Sequence, residues 1–238
     1  MMRFNRTIGA ISVLSFDLDD TLYDNRPIIK AAVQAMLDYL TSLANWPHHD
    51  PHFWRDCRRA VQEQQPELEH DVSRWRQVAL RFALNELGYE PSAVEQHATA
   101  AYQAFAEARS NIVVSDEVLN LLAELRQHFR LIAITNGNVE VARFNLRDQF
   151  EFVLQAGRDG QAKPAADLFI QASQRLQVAP QAILHIGDSL ESDVQGANLA
   201  GCHSAWLRLS ATHNGTYAGL PDAEISDVLQ LRTLLTTR

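Results

Sequence analysis

The chain has 238 residues, 46% of them hydrophobic and 21% charged, with a formal net charge of −8 at pH 7. That apolar share is enough to bury a full core and argues against disorder, and the negative balance argues against nucleic acid or an anionic membrane as main partner, because both need clustered Lys and Arg. Cys57 and Cys202 are its only cysteines, a usage that suits a reducing cytoplasm better than a disulfide framework, and no apolar stretch approaches the roughly 18 residues of a membrane span.

The first apolar run, Ile11 to Phe16, reads as a buried strand and leads directly into SFDLDDTLYD, which carries Asp17, Asp19, Asp20 and Asp24. Carboxylates this crowded disfavour one another's ionisation unless a cation holds them together. From Asn25 to Ala108 the chain has no β-rich run. Its apolar spacing predicts helices over Pro27–Ala44, with proline in the first turn, over Asp71–Leu87 and over Ser92–Ala108. Between the first two lies WPHHDPHFW, read as a solvated inter-helix loop, because adjacent histidines rarely converge on a metal. Trp54, Trp75, Phe82 and Tyr102, with Arg74 and Arg76, offer aromatic and donor groups here, which at helical spacing mostly pack into a core.

After Ala108 strands and helices alternate. Ser115 is placed to cap a helix through Leu125, and strands are expected at Leu131–Ile134, Phe152–Leu154, Ile183–Ile186 and Ser204–Leu207. Helices are expected at Ala166–Leu176 and at Glu191–Ala200, the latter stopped by Gly201. His185, inside the apolar AILHIGD run, reads as a hydrogen-bonded core residue. The alternation implies an α/β fold: a Rossmann-like, doubly wound parallel sheet formed by residues 1–24 and 109–238, with an all-helical domain, 25–108, inserted after the first strand. Asn5-Arg6-Thr7 and Asn214-Gly215-Thr216 match the glycosylation pattern but carry no meaning in a cytoplasmic chain.

Open parallel sheets bind ligands beyond the carboxyl ends of their strands, so the post-strand segments are read together. They supply Asp17, Asp19 and Asp20; Thr135, Asn136 and Gly137; Lys163; and Asp188, Ser189 and Asp193. Asp17, Asp188 and the main-chain carbonyl of Asp19 offer hard oxygen ligands suited to Mg²⁺. Thr135 and the loop amides can donate to phosphate oxygens, and Lys163 can neutralise both a phosphate and the carboxylate beside it. Phosphoryl transfer relies on such placed cations and donors.

In that order, DLDDT, TNG, the lysine of AKP and GDSLESD resemble the four motifs of the haloacid dehalogenase-like (HAD) superfamily, over a span from Asp17 to Asp193. The resemblance implies Asp17 as the nucleophile, forming an aspartyl-phosphate, and Asp19 as general acid and then base. It implies Thr135, Asn136 and Lys163 as phosphate ligands, Asp17, Asp19 and Asp188 as metal ligands, and Asp193 as the residue that orients a metal-bound water or Lys163. The acid at Asp19 is found in the family's phosphatases and phosphomutases, whereas its true dehalogenases lack it. The helical insertion takes the position of a C1-type cap, which excludes water and favours small phosphorylated metabolites over proteins. Longer stretches, ISVLSFDLDDTLYDNRP, ITNGN, FEFVLQAG and ILHIGDSLESDVQGA, are similar to the bacterial phosphatases of riboflavin biosynthesis, implying 5-amino-6-(5-phospho-D-ribitylamino)uracil and FMN as substrates. The alternatives are a phosphatase of another sugar or nucleotide phosphate, a phosphosugar mutase, and a non-catalytic protein that retained the fold. A monomer or homodimer in the cytoplasm is expected.

Overall fold

The computed structural model describes residues 2–209 and 219–236; the Asn214–Thr216 acceptor pattern lies outside the described residues. The chain divides into two compact units, Met1–Asp24 with Val113–Arg238, and Asn25–Ile112.

The first unit is built on a sheet of seven described strands: β1 (Arg3–Phe4), β2 (Val13–Phe16), β3 (Arg130–Thr135), β4 (Val153–Gln155), β5 (Ile183–Gly187), β6 (His203–Leu207) and β7 (Ala223–Ile225). Their order is β1-β7-β6-β5-β2-β3-β4, parallel throughout except for the antiparallel β1–β7 pair at one edge. All four residues of β2 are buried, as a central strand covered on both faces requires, and this is why it reads as a continuous apolar run. Neither β1 nor β7, two and three residues long at one edge of the sheet, is expected from sequence.

Between the described strands of this unit run α5 (Asp116–Leu125), α6 (Asp167–Leu176) and α7 (Gly196–Leu199). The Ser115 hydroxyl accepts from the Val118 amide at 3.4 Å, supplying the predicted cap of α5. Leu168, Phe169, Ala172 and Leu176 of α6 pack on Val13, Ile132, Ile134, Leu154 and Ile183 of the sheet. The helix predicted over Glu191–Ala200 differs in form. Leu190–Gln195 winds as a wide π-type turn, with the amides of Asp193 and Val194 both donating to the Ser189 carbonyl, at 2.9 and 3.2 Å, and only Gly196–Leu199 is α-helical. Gly201, at φ 77°, ends it.

The second unit holds α1 (Arg26–Thr41), α2 (Phe53–Gln64), α3 (Val72–Glu86) and α4 (Pro91–Arg109). Its larger core joins Ala32, Met36 and Leu40 of α1 to Leu80 and Leu84 of α3 and to Val94, Ala98, Ala101 and Phe105 of α4. The WPHHDPHFW stretch is only partly the expected loop: Trp46 is buried edge-on against Phe53, and Phe53 and Trp54 open α2, whose amphipathic pattern starts inside the stretch. Trp54, Trp75 and Phe82 pack on Val61, Leu68 and Ala79, and the Arg76 guanidinium lies 3.6 Å over the Phe105 ring, so most of these aromatics serve packing.

Candidate active site

Strands β2, β3 and β5 are adjacent and parallel, so their carboxyl ends deliver Asp17, Thr135 and Asp188 to one rim of the sheet. The centre of that rim is the Lys163 ammonium, only 3% exposed, which donates to Asp17 Oδ1 at 2.7 Å, to Asp193 Oδ1 at 2.6 Å and to the Ile134 carbonyl at 2.7 Å. These three acceptors use all three of its protons. Its main chain is clasped as well: the Lys163 amide donates to Asn136 Oδ1 at 2.8 Å, and Asn136 Nδ2 donates to the Lys163 carbonyl at 2.9 Å, beside a cis Lys163–Pro164 peptide. The clasp holds the Asn136 carboxamide in place at both ends. Thr135, fully buried, accepts the Gly137 amide on Oγ1 at 2.9 Å.

Carboxylate oxygens of Asp17, Asp188 and Asp193 lie within 4.8 Å of one another. Burial pushes the Asp17 carboxyl well above the usual range, against the pull of Lys163. Burial, with Asp193 and Asp20 nearby, raises Asp188 to about 7. Burial also disfavours ionised Asp193, but Lys163 and the His185 hydrogen bond outweigh it and hold that carboxyl below its ordinary value. One ammonium thus keeps Asp193 ionised and leaves Asp17 and Asp188 short of positive charge. This cluster of hard carboxylate oxygens suits a divalent cation.

Asp19 Oδ1 accepts from the Tyr23 hydroxyl at 2.7 Å, across a bend that places Asp20 at φ 57°. Thr21, expected only to shape this turn, donates weakly to Asp17 Oδ2 at 3.4 Å. Two glycines make room for the carboxylates. A Cβ at Gly137 would stand 2.5 Å from Asp19 Oδ2, and one at Gly187 would collide with the Asp193 carboxylate.

The structure adds residues that the motifs did not single out. Tyr23 follows Asp19 by four positions, a spacing visible in DLDDTLYD. Trp206 Nε1 donates to the Asp188 carbonyl at 2.9 Å, and Gln155 Nε2 to the Gly137 carbonyl at 2.8 Å, contacts between distant segments that leave no local signal. A cavity of about 800 Å³ bordered by Phe4 to Ile11, Phe129 and Leu234 includes none of the motif residues.

Comparison with known proteins places this geometry. The family model "haloacid dehalogenase-like hydrolase" matches residues 11–201. The chain is 40% identical to the 5-amino-6-(5-phospho-D-ribitylamino)uracil phosphatase YigB of Escherichia coli, over 98% of this chain and 100% of that protein. It is 25% identical to the N-acylneuraminate-9-phosphatase of Mus musculus, over 96% and 95% of the two chains. Among solved structures, a 2-haloacid dehalogenase from Pseudomonas syringae is 33% identical with a TM-score of 0.88, covering 95% of this chain and 98% of that one. The HAD-hydrolase YfnB of Bacillus subtilis, solved with magnesium, is 22% identical with a TM-score of 0.66, over 95% and 99% of the two chains.

Proposed function

The chain belongs to the haloacid dehalogenase-like hydrolases, and from that membership we propose that it is a Mg²⁺-dependent phosphatase that hydrolyses 5-amino-6-(5-phospho-D-ribitylamino)uracil and FMN in the cytoplasm. The observation that carries the reaction is the Lys163 ammonium held 2.7 Å from Asp17, with Asp19 two residues further along the same turn. The observation that carries the substrate is the 40% identity, end to end, with a phosphatase named for the ribitylaminouracil ester.

In this reading Asp17 attacks phosphorus in line, and its new O–P bond forms as the ester O–P bond breaks. Asp19 gives its proton to the leaving alkoxide, then takes one from the water that cleaves the aspartyl-phosphate; the sum is ester plus water giving alcohol and inorganic phosphate. The Thr135 hydroxyl and Asn136 hold the phosphate oxygens, and Lys163, its three protons engaged, sets its positive charge beside them and keeps its place through Asp193 and the Asn136 clasp. Asp17, Asp188 and the Asp19 carbonyl would hold the Mg²⁺, which would supply positive charge to offset the carboxylates and the ester.

The 33% identical dehalogenase makes carbon–halogen hydrolysis the reading to exclude, and Asp19 argues against it. The deciding experiment is phosphate release from a metabolite panel, with Mg²⁺ and with chelator, alongside halide release from 2-chloropropionate. Turnover of FMN and the ribitylaminouracil phosphate is expected, lost with chelator and absent in Asp17→Asn. Phosphatase activity surviving in Asp17→Asn, or halide release without phosphate release, refutes the assignment. Conversion of a bisphosphate-primed sugar phosphate to its isomer would instead identify the phosphomutase.

A further inference from the structure

Ser15 and His185 are register partners on β2 and β5, and both side chains are buried beneath the site. A buried imidazole needs partners at both nitrogens. His185 Nε2 lies 3.1 Å from Asp193 Oδ1, its Nδ1 lies 2.9 Å from Ser15 Oγ, and the Phe169 ring meets it edge to face at 4.9 Å. An ionised carboxylate only accepts, so Nε2 carries the proton that points at Asp193. Nδ1 is then a bare lone pair, and the Ser15 hydroxyl donates to it. Ser15 therefore selects the tautomer that lets His185 donate upward.

Asp193 is held at both oxygens by this arrangement. Its Oδ1 takes Lys163 and His185, and its Oδ2 takes the Ser189 amide at 2.9 Å. A neutral imidazole adds a donor without adding positive charge, so Asp193 is fixed while the carboxylates around it keep the negative balance that a divalent ion answers. Without it, Asp193 Oδ1 keeps only Lys163 and can swing, taking the ammonium off Asp17 Oδ1.

We propose that His185, set by Ser15, is a positioning residue of the reaction: through Asp193 it holds Lys163 against the nucleophile Asp17. The kinetic consequence rests on the phosphatase reading above; the hydrogen-bond consequence does not.

Two measurements separate these. Kinetically, His185→Leu is expected to lower kcat about 10- to 100-fold with KM changed less than about threefold, the pattern of an interaction made for the transition state. His185→Gln, whose amide can donate to Asp193, recovers all but about fivefold. Ser15→Ala costs about threefold alone and nothing further in His185→Leu, the non-additivity of a single relay. Independently, the Lys163 Nζ protons are followed by ¹⁵N NMR. Their exchange with water is expected to speed up about tenfold or more in His185→Leu and to stay near wild type in His185→Gln. Full kcat in His185→Leu, or equal losses in the Leu and Gln variants, overturns the positioning role, as does unchanged Lys163 exchange in the Leu variant. A wild type that hydrolyses no phosphate ester refutes the phosphatase reading instead, and the exchange measurement then decides the role of His185 alone.

Discussion

Asp17 and Asp19 stand two residues apart yet meet different surroundings. Asp17 faces the buried ammonium of Lys163, whereas Asp19 is anchored on one oxygen by the Tyr23 hydroxyl, itself packed edge-on against Phe144. In the proposed reaction this anchor fixes the direction in which Asp19 hands its proton to the leaving group. Asp19→Asn is therefore expected to lower kcat on an alkyl phosphate such as FMN about 10²- to 10⁴-fold, the usual worth of a placed acid. Hydrolysis of p-nitrophenyl phosphate, whose leaving group needs no proton, should show a smaller loss in the phosphorylation step, read as the burst of p-nitrophenol. Equal losses on both esters in that step would remove Asp19 from the role. DLDD shows both acids to a reader of the sequence, but the difference in their surroundings depends on Lys163, which is 146 residues from Asp17.

At the scale of the element, Asp17, Thr135 and Asp188 are delivered by strand ends, and Asp193 is aimed by the turn that follows β5. The wide turn at Leu190–Gln195 brings the Asp193 carboxylate back over Gly187, the last residue of β5, and only the missing Cβ of that glycine admits it. Gly187→Ala is expected to push Asp193 off Lys163, costing about 1–3 kcal/mol of stability as an overpacked core site does. Urea unfolding measures the first effect, and kcat should fall alongside it. A Gly187→Ala protein with wild-type stability and turnover would show that Asp193 need not stand where it does. The GDSLESD motif makes an acidic loop after a strand legible, but a regular helix was the natural reading of Glu191–Ala200. The extra residue in the turn appears only once Ser189 is seen capping two amides.

At the scale of the whole molecule, the carboxylate set makes stability depend on pH and on the cation together. Asp188 titrates near 7 in the folded chain, against 3.8 for an ordinary carboxyl. Between those values the folded state holds a proton that the unfolded chain has released, so raising the pH from about 4 to 7 removes stability from the metal-free protein. Asp17 acts in the same direction. In the proposed site a divalent ion takes the place of that proton, so the rise in Tm on adding Mg²⁺ should be larger at pH 8 than at pH 5.5, as metal binding to a protonated site must first displace the proton. A Mg²⁺ effect equal at the two pH values would mean that Asp188 is not a ligand.

The amino-acid sequence by itself determined the alternation of strands and helices, the long helical insertion and the post-strand positions of Asp17, Thr135, Lys163 and Asp188, because periodicity and local turn chemistry are written in neighbouring residues. It also placed the chain's motifs in one family order. Tertiary structure alone decided the edge strands β1 and β7, the clasp of Asn136 on Lys163, the support of Asp193 by His185 and Ser15, and the hold of Trp206 on Asp188. Each of these joins residues distant in the chain through one or two hydrogen bonds. Such bonds form only after burial has fixed the register of the sheet, and they leave no periodic trace in the sequence.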